Sequence, residues 1–105
     1  MSLSTHVLDT TLGIPAAGVA VRLEHSACTL AEAVTDGNGR IGALGADLAA
    51  GTYRIVFDTG TYFASADRPV FYPEVAVSFV ISDPARHHHV PLLLSPFGYS
   101  TYLGS

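Results

Sequence analysis

The sequence predicts an all-β protein, a two-sheet antiparallel β-sandwich with one short helix. Short segments along the chain alternate apolar with polar or small residues, the period of strands that bury one face. Turn-forming Gly, Pro, Asn and Asp punctuate them at close spacing. Only one stretch has helical spacing, and many strands with a single helix fit a sandwich better than a layered α/β fold.

The first strand is Ser4–Asp9 (STHVLD). Residues 18–25 (GVAVRLEH) put Val19, Val21 and Leu23 on one face with Arg22 and Glu24 on the other. Residues 29–35 (TLAEAVT) set Leu30 and Glu32 against Ala31, Ala33 and Thr35, and residues 52–58 (TYRIVFD) set Tyr53, Ile55 and Phe57 against Arg54 and Asp58. Residues 74–82 (EVAVSFVIS), 87–95 (HHHVPLLLS) and 96–103 (PFGYSTYL) complete the set. The DGNGR stretch, Asp36 to Arg40, supplies residues that accept positive φ and predicts a tight hairpin. The stretch 59–67 (TGTYFASAD) fits a helix with Tyr62, Phe63 and Ala66 on one side, stopped before Pro69 and too short to stand alone. The last strands are apolar on both faces, which predicts cover from neighbouring subunits.

With 105 residues, the chain is expected to form one unit spanning 1–105. Hydrophobic residues make up 49% and charged residues 13%, the opposite of a disordered composition. A net charge of −4 with five Lys and Arg leaves no basic stripe for phosphates, so no nucleic-acid partner is expected. No apolar run is long enough to span a bilayer, so no membrane association is expected either. Cys28 is the only cysteine, which excludes an internal disulfide and argues against a thiolate zinc site. With no secretory pattern at the start, the expected location is the cytoplasm.

Strand alternation puts His87 and His89 on one face and His88 on the other. A His-x-His pair is a usable metal-ligand spacing, but only His6 and His25 remain as further histidines. The plainer alternative is one hydrogen-bonded strand histidine with exposed neighbours. His6 stands mid-strand, where a structural role competes with a chemical one. Arg40 closes a glycine turn, either solvated or orienting an anion with its planar fork. Tyr99 and Tyr102 are three apart and fit interface packing on opposite faces of an extended segment.

Taken together, LSTHVLDTTLGIPAAGVAVRLE, DGNGR, TYFASADRPVFYPEVAVSF and HHHVPLLLSPFGYSTYLGS resemble the 5-hydroxyisourate hydrolases, also called transthyretin-like or transthyretin-related proteins. The similarity runs from Leu3 to Ser105, with THVLD and HVPLLLSPFGYSTY as its most specific parts. The resemblance implies a transthyretin-like sandwich, a homotetramer around a central channel, and active sites at a subunit interface. It implies ring-amide hydrolysis of 5-hydroxyisourate in urate breakdown, without metal or organic cofactor. Carried over residue by residue, it implies catalytic roles for His6, His89 and Arg40, with His6, Arg40, His87, Tyr102 and Ser105 contacting substrate. In this scheme His6 and His89 act on water, His87 orients, and Arg40 holds substrate oxygens and the developing charge.

One position departs from the family pattern. The chain ends Tyr-Leu-Gly-Ser where the family has Tyr-Arg-Gly-Ser, so Leu103 replaces a cation. Losing that charge weakens anion attraction and lets nearby histidines gain protons more readily, which predicts a weakened enzyme. Two other functions compete with this one. The same fold serves as a small-molecule carrier of the transthyretin kind, and the His-x-His pair admits a metal-dependent hydrolase.

Overall fold

The structure, a computed structural model, describes residues 3–105. Met1 and Ser2 of the expected 1–105 unit lie outside the described residues. Nine strands and one helix follow in order: β1 Leu3–Asp9, β2 Ile14–Pro15, β3 Ala20–His25, β4 Cys28–Val34, β5 Arg40–Ile41, β6 Gly51–Phe57, α1 Thr59–Ser65, β7 Val75–Ile81, β8 His88–Ser95 and β9 Gly98–Thr101. They form two facing sheets. One has the order β2-β1-β8-β9 with β5 also paired to β1, and the other has the order β4-β3-β6-β7.

The sandwich is not purely antiparallel. β1 and β8 run parallel, pairing Leu3 with His88 through Asp9 with Leu94. Parallel neighbours need a long crossover, and here most of the chain supplies it. Alternation then decides the faces. Leu3 and Val7 of β1 pack inward with Val90, Leu92 and Leu94 of β8, against Val21, Leu23, Ile55, Phe57 and Val75 of the other sheet. Emptying one such position, as in Leu92→Ala, costs about 3 kcal/mol in a core of this kind. The apolar tail is therefore buried largely by its own chain. Only Phe97, Tyr99, Tyr102 and Leu103 remain exposed for a neighbour to cover.

The DGNGR stretch differs from the expected hairpin. It joins β4 to β5, which belong to different sheets, so the loop crosses the sandwich edge instead of reversing a strand. Two-residue hairpins form instead at β8–β9, where Ser95 faces Gly98, and at β3–β4, where His25 faces Cys28 across Ser26 and Ala27, with φ of 51° and 63°. Two further boundaries move. α1 stops at Ser65, leaving Ala66 exposed, because Asp67 takes a φ of 55° and Arg68 N–H donates to Phe63 O at 3.0 Å. β9 ends at Thr101, and the chain rejoins the sheet only where Gly104 bridges to His89.

Asp9 ties the helix region to the sheet. Its fully buried carboxylate accepts from Arg68 Nη1 and Nη2 at 2.5 and 3.3 Å and from Tyr62 OH at 2.9 Å. The N–H groups of Thr11 and Leu12 complete its partners. Burial pushes this carboxyl up, but the hydrogen bonds from Arg68, Tyr62 and Leu12 outweigh it and hold the group below its ordinary value. The Arg68 guanidinium also lies 4.9 Å over the Phe63 ring, so one cation serves both contacts.

Two expectations follow. A carboxyl depressed in the folded state stabilises fully above its unfolded value, and that contribution is lost as pH falls through the folded one. Asp9→Asn, which strands the Arg68 charge, should cost about 3 kcal/mol at neutral pH and flatten the loss of stability below about pH 4, measured by urea unfolding across pH. At the β3–β4 hairpin, the Ser26→Asn, Ala27→Gly double variant should gain about 1 kcal/mol, because Asn-Gly accepts the left-handed pair with less strain.

Candidate active site

The site lies on the outer face of the β2-β1-β8-β9 sheet. Period-2 geometry that sends Leu3, Thr5 and Val7 inward sends Ser4, His6 and Leu8 outward. On β8 the inward Val90, Leu92 and Leu94 leave His89, Pro91 and Leu93 facing out. The parallel register sets Ser4 beside His89 and His6 beside Pro91. Thr5 locks this register from the inner face, its hydroxyl donating to Val90 O at 2.6 Å.

Arg40 arrives on the other flank of His6, its cross-strand partner in β5. The DGNGR loop holds it there. Asp36 Oδ1 accepts from Asn38 N–H at 2.8 Å and Arg40 N–H at 3.0 Å, and Gly39 O accepts from Val7 N–H at 2.7 Å. Gly39 is obligatory: its φ is +73°, and a Cβ there would lie 2.4 Å from Val7 O. The N–H groups of Arg40 and Asn38 hold the Asp36 carboxyl below its usual range, with the charges of Arg40 and His6 adding to the effect.

His87 and His89 both turn onto Ser4. Ser4 Oγ is 2.8 Å from His87 Nε2 and 2.7 Å from His89 Nδ1. Burial lowers the His89 pKa, and the charge of Arg40, with Coulombic coupling to His6 and His87, lowers it further, while a hydrogen bond donated to the Ser4 backbone acts weakly the other way. His89 is thus held neutral while facing a guanidinium. At neutral pH that combination makes an imidazole a proton acceptor.

The structure therefore brings His6, Arg40, His87 and His89 to one face. Tyr102 and Leu103 are placed elsewhere in the chain, on a groove of about 390 Å³ between the edge strands β7 and β9, which His88 and Val90 also line. Ser105 follows directly after Gly104, whose N–H donates to His89 O at 2.8 Å. His88 points inward, largely buried, with Nδ1 2.9 Å from Arg86 O. Among the described residues, no three His, Cys, Asp or Glu side chains are grouped to hold a metal ion. Ser4 is a site residue that sequence reasoning missed. Its place in LSTHVLD, two before His6, put it on the same face, but its partners depend on a pairing that only the fold reveals.

The HIUase/Transthyretin family model matches residues 3–104. The chain belongs to that family. A 5-hydroxyisourate hydrolase from Salmonella typhimurium is 50% identical over 109 residues, covering 98% of this chain and 80% of its own length. A 5-hydroxyisourate hydrolase 2 from Rhizobium meliloti is 51% identical over 114 residues, covering 98% and 95%. Among solved structures, the Klebsiella pneumoniae 5-hydroxyisourate hydrolase superposes with a TM-score of 0.94 at 44% identity over the whole of both chains. Sea bream transthyretin in complex with thyroxine gives a TM-score of 0.91 at 32% identity, covering 99% of this chain and 95% of that one. Relatives of this chain thus include both 5-hydroxyisourate hydrolases and a transthyretin in complex with thyroxine.

Gly104 offers a direct test of how His89 is held in this family member. A Cβ at Gly104 would sit 2.5 Å from His89 Cδ2, far inside contact distance. Gly104→Ala should displace the imidazole and shift its NMR resonances while circular dichroism stays unchanged. Unmoved His89 signals would mean that the chain end gives way instead.

Proposed function

We propose that this protein is a 5-hydroxyisourate hydrolase that opens the ring amide of its substrate with a histidine-activated water. One observation carries the reading beyond family membership: His6, Arg40 and His89 share one sheet face, with His89 biased toward its neutral form by burial and by the Arg40 charge. A carrier of apolar ligands has no use for a guanidinium beside a neutral imidazole. An amide hydrolase needs both, a base for water and a fixed cation for the developing oxyanion.

In this reading His89 and His6 take the water proton and deliver one to the leaving nitrogen. Arg40 holds substrate oxygens with its planar fork, positioned by the DGNGR loop. His87 orients His89 through Ser4. Tyr102 and Ser105 complete the pocket by hydrogen bonding in the assembled protein. The steps use the chain's own side chains and call on no metal or organic cofactor. The place in metabolism that fits is urate breakdown.

We assign the assembly as a homotetramer. The edge strands β7 and β9 present the β7–β9 groove, and Leu12, Ile14, Phe97, Tyr99, Tyr102 and Leu103 are exposed around the edges of the site sheet. Apolar surface of this extent is usually covered in a soluble protein. No helix among the described residues is long and apolar enough to cross a membrane. We place the protein in the cytoplasm, where the exposed thiol of Cys28 stays reduced.

Four outcomes test the reading. Generated by urate oxidase and followed by ultraviolet absorbance, 5-hydroxyisourate should decay faster with the protein. His6→Ala and His89→Ala should each lose about 10²–10⁴-fold in rate with the tetramer intact. No acceleration by the wild type, together with tight thyroxine binding, would make it a carrier. Because Arg40 depresses the His89 pKa, Arg40→Gln should raise the pH at which His89 titrates by NMR and move the acid limb of kcat/KM the same way. Leu103→Arg should raise kcat/KM through anion attraction, most clearly at low salt, and a change under about twofold would leave Leu103 a packing residue only.

A further inference from the structure

Ser4 is the hinge between two histidines that the proposed chemistry treats separately. It sits on the outer sheet face yet is only 9% exposed, with an imidazole nitrogen at hydrogen-bond distance on either side. A serine hydroxyl carries one proton and can accept more than one hydrogen bond. It can therefore donate to one ring only. If both rings donated to it, a nine-tenths-buried hydroxyl proton would have no acceptor among these contacts, which is costly.

Two neutral arrangements remain. In the first, Ser4 donates to His89 Nδ1, so His89 Nε2 carries the ring proton and cannot accept one from water. In the second, His89 Nδ1–H donates to Ser4 Oγ, and Ser4 O–H donates to His87 Nε2. Only the second leaves a lone pair on His89 Nε2. Deepening the hydrolase reading, on which its catalytic half rests, we propose that Ser4 is a positioning residue that fixes this tautomer and carries protons between His89 and His87.

The proton balance is simple. As His89 Nε2 takes a proton from the attacking water, His89 Nδ1–H passes to Ser4 Oγ while Ser4's own proton passes to His87 Nε2. One N–H and one O–H bond break and two form along the chain, and Ser4 stays neutral. The positive charge moves from His89 onto exposed His87. The reverse movement returns it, and His89 Nε2–H is given to the leaving nitrogen, so the three residues end as they began.

The surroundings supply the driving force. The charged and titratable groups facing His89 are His6 on β1, Arg40 on β5 and His87 at the start of β8, with Asp36 interacting with Arg40 and His6. An imidazolium at His89 stands in the field of a permanent guanidinium on a half-buried sheet face. At His87 the same charge is hydrated.

The test uses the full-length protein with ¹⁵N-labelled histidine. Wild-type His89 should show the Nδ1–H tautomer at neutral pH. Ser4→Ala should shift it toward Nε2–H, lower kcat by on the order of tenfold or more with KM little changed, and displace the pH profile. Ser4→Thr, which keeps the hydroxyl, should restore both tautomer and rate. His87→Ala should lose rate and regain it with added imidazole buffer, and this arm holds even where Ser4→Ala fails to fold. An Nε2–H tautomer in the wild type overturns the proposal. So does a Ser4→Ala variant with wild-type kcat and pH profile, or a His87→Ala variant with wild-type rate. The tautomer is read without substrate. An Nδ1–H, Ser4-dependent tautomer in a protein inactive on 5-hydroxyisourate would therefore overturn the hydrolase reading and the shuttle while supporting the positioning role.

Discussion

The parallel ladder between Leu3–Asp9 and His88–Ser95 is the constraint on which the rest of the molecule depends. It joins the two ends of the sequence in the middle of one sheet. On its inner face Leu3, Val7, Val90, Leu92 and Leu94 close the core. On its outer face it places Ser4 and His6 among the residues that flank His89. A slip of one residue would turn both sets over at once, so the same apolar packing that stabilises the fold also fixes the register of the site. Stability and site geometry are here a single requirement.

Around that ladder, the polar groups divide by function. Asp9, at the far end of β1, is fully satisfied by Arg68, Tyr62 and backbone N–H groups, and it serves to fasten the helix region. At the near end the balance is the reverse. Three histidines and Arg40 gather, with Asp36 engaged mainly with the loop backbone. In a chain of net charge −4, a guanidinium grouped with three imidazoles on one sheet face is a local exception. Together with burial it depresses the His89 pKa, and the guanidinium presents a favourable field to an electron-rich substrate.

The way Arg40 is delivered shows how a loop can be as specific as a strand. Asp36 closes the turn on itself, Gly39 allows the backbone to pass against Val7 O, and the chain then enters the opposite sheet beside His6. A hairpin made of the same residues would have returned Arg40 to the β3–β4 sheet, away from the histidines. The C-terminal segment acts similarly, with Gly104 pressed on the His89 ring where no side chain could fit.

Local pattern alone determined much of this protein. Alternation at Val19, Val21 and Leu23, and at Tyr53, Ile55 and Phe57, marked the buried faces, because period 2 is a property of extended backbone wherever the strand lies. It also separated His87 and His89 from His88. The short β2 and β5 strands carried no such signal, since two residues have no period. The role of DGNGR as a crossing between sheets, the parallel sense of β1 and β8, and the placing of Tyr102 on the β7–β9 groove were decided by tertiary structure. Pairing partners and strand direction arise from contacts between residues far apart in the chain. Ser4 is the sharpest case: its outward direction was written in its position, but the two imidazoles it joins lie more than eighty residues away. Only the closed sheet brings them within hydrogen-bonding distance.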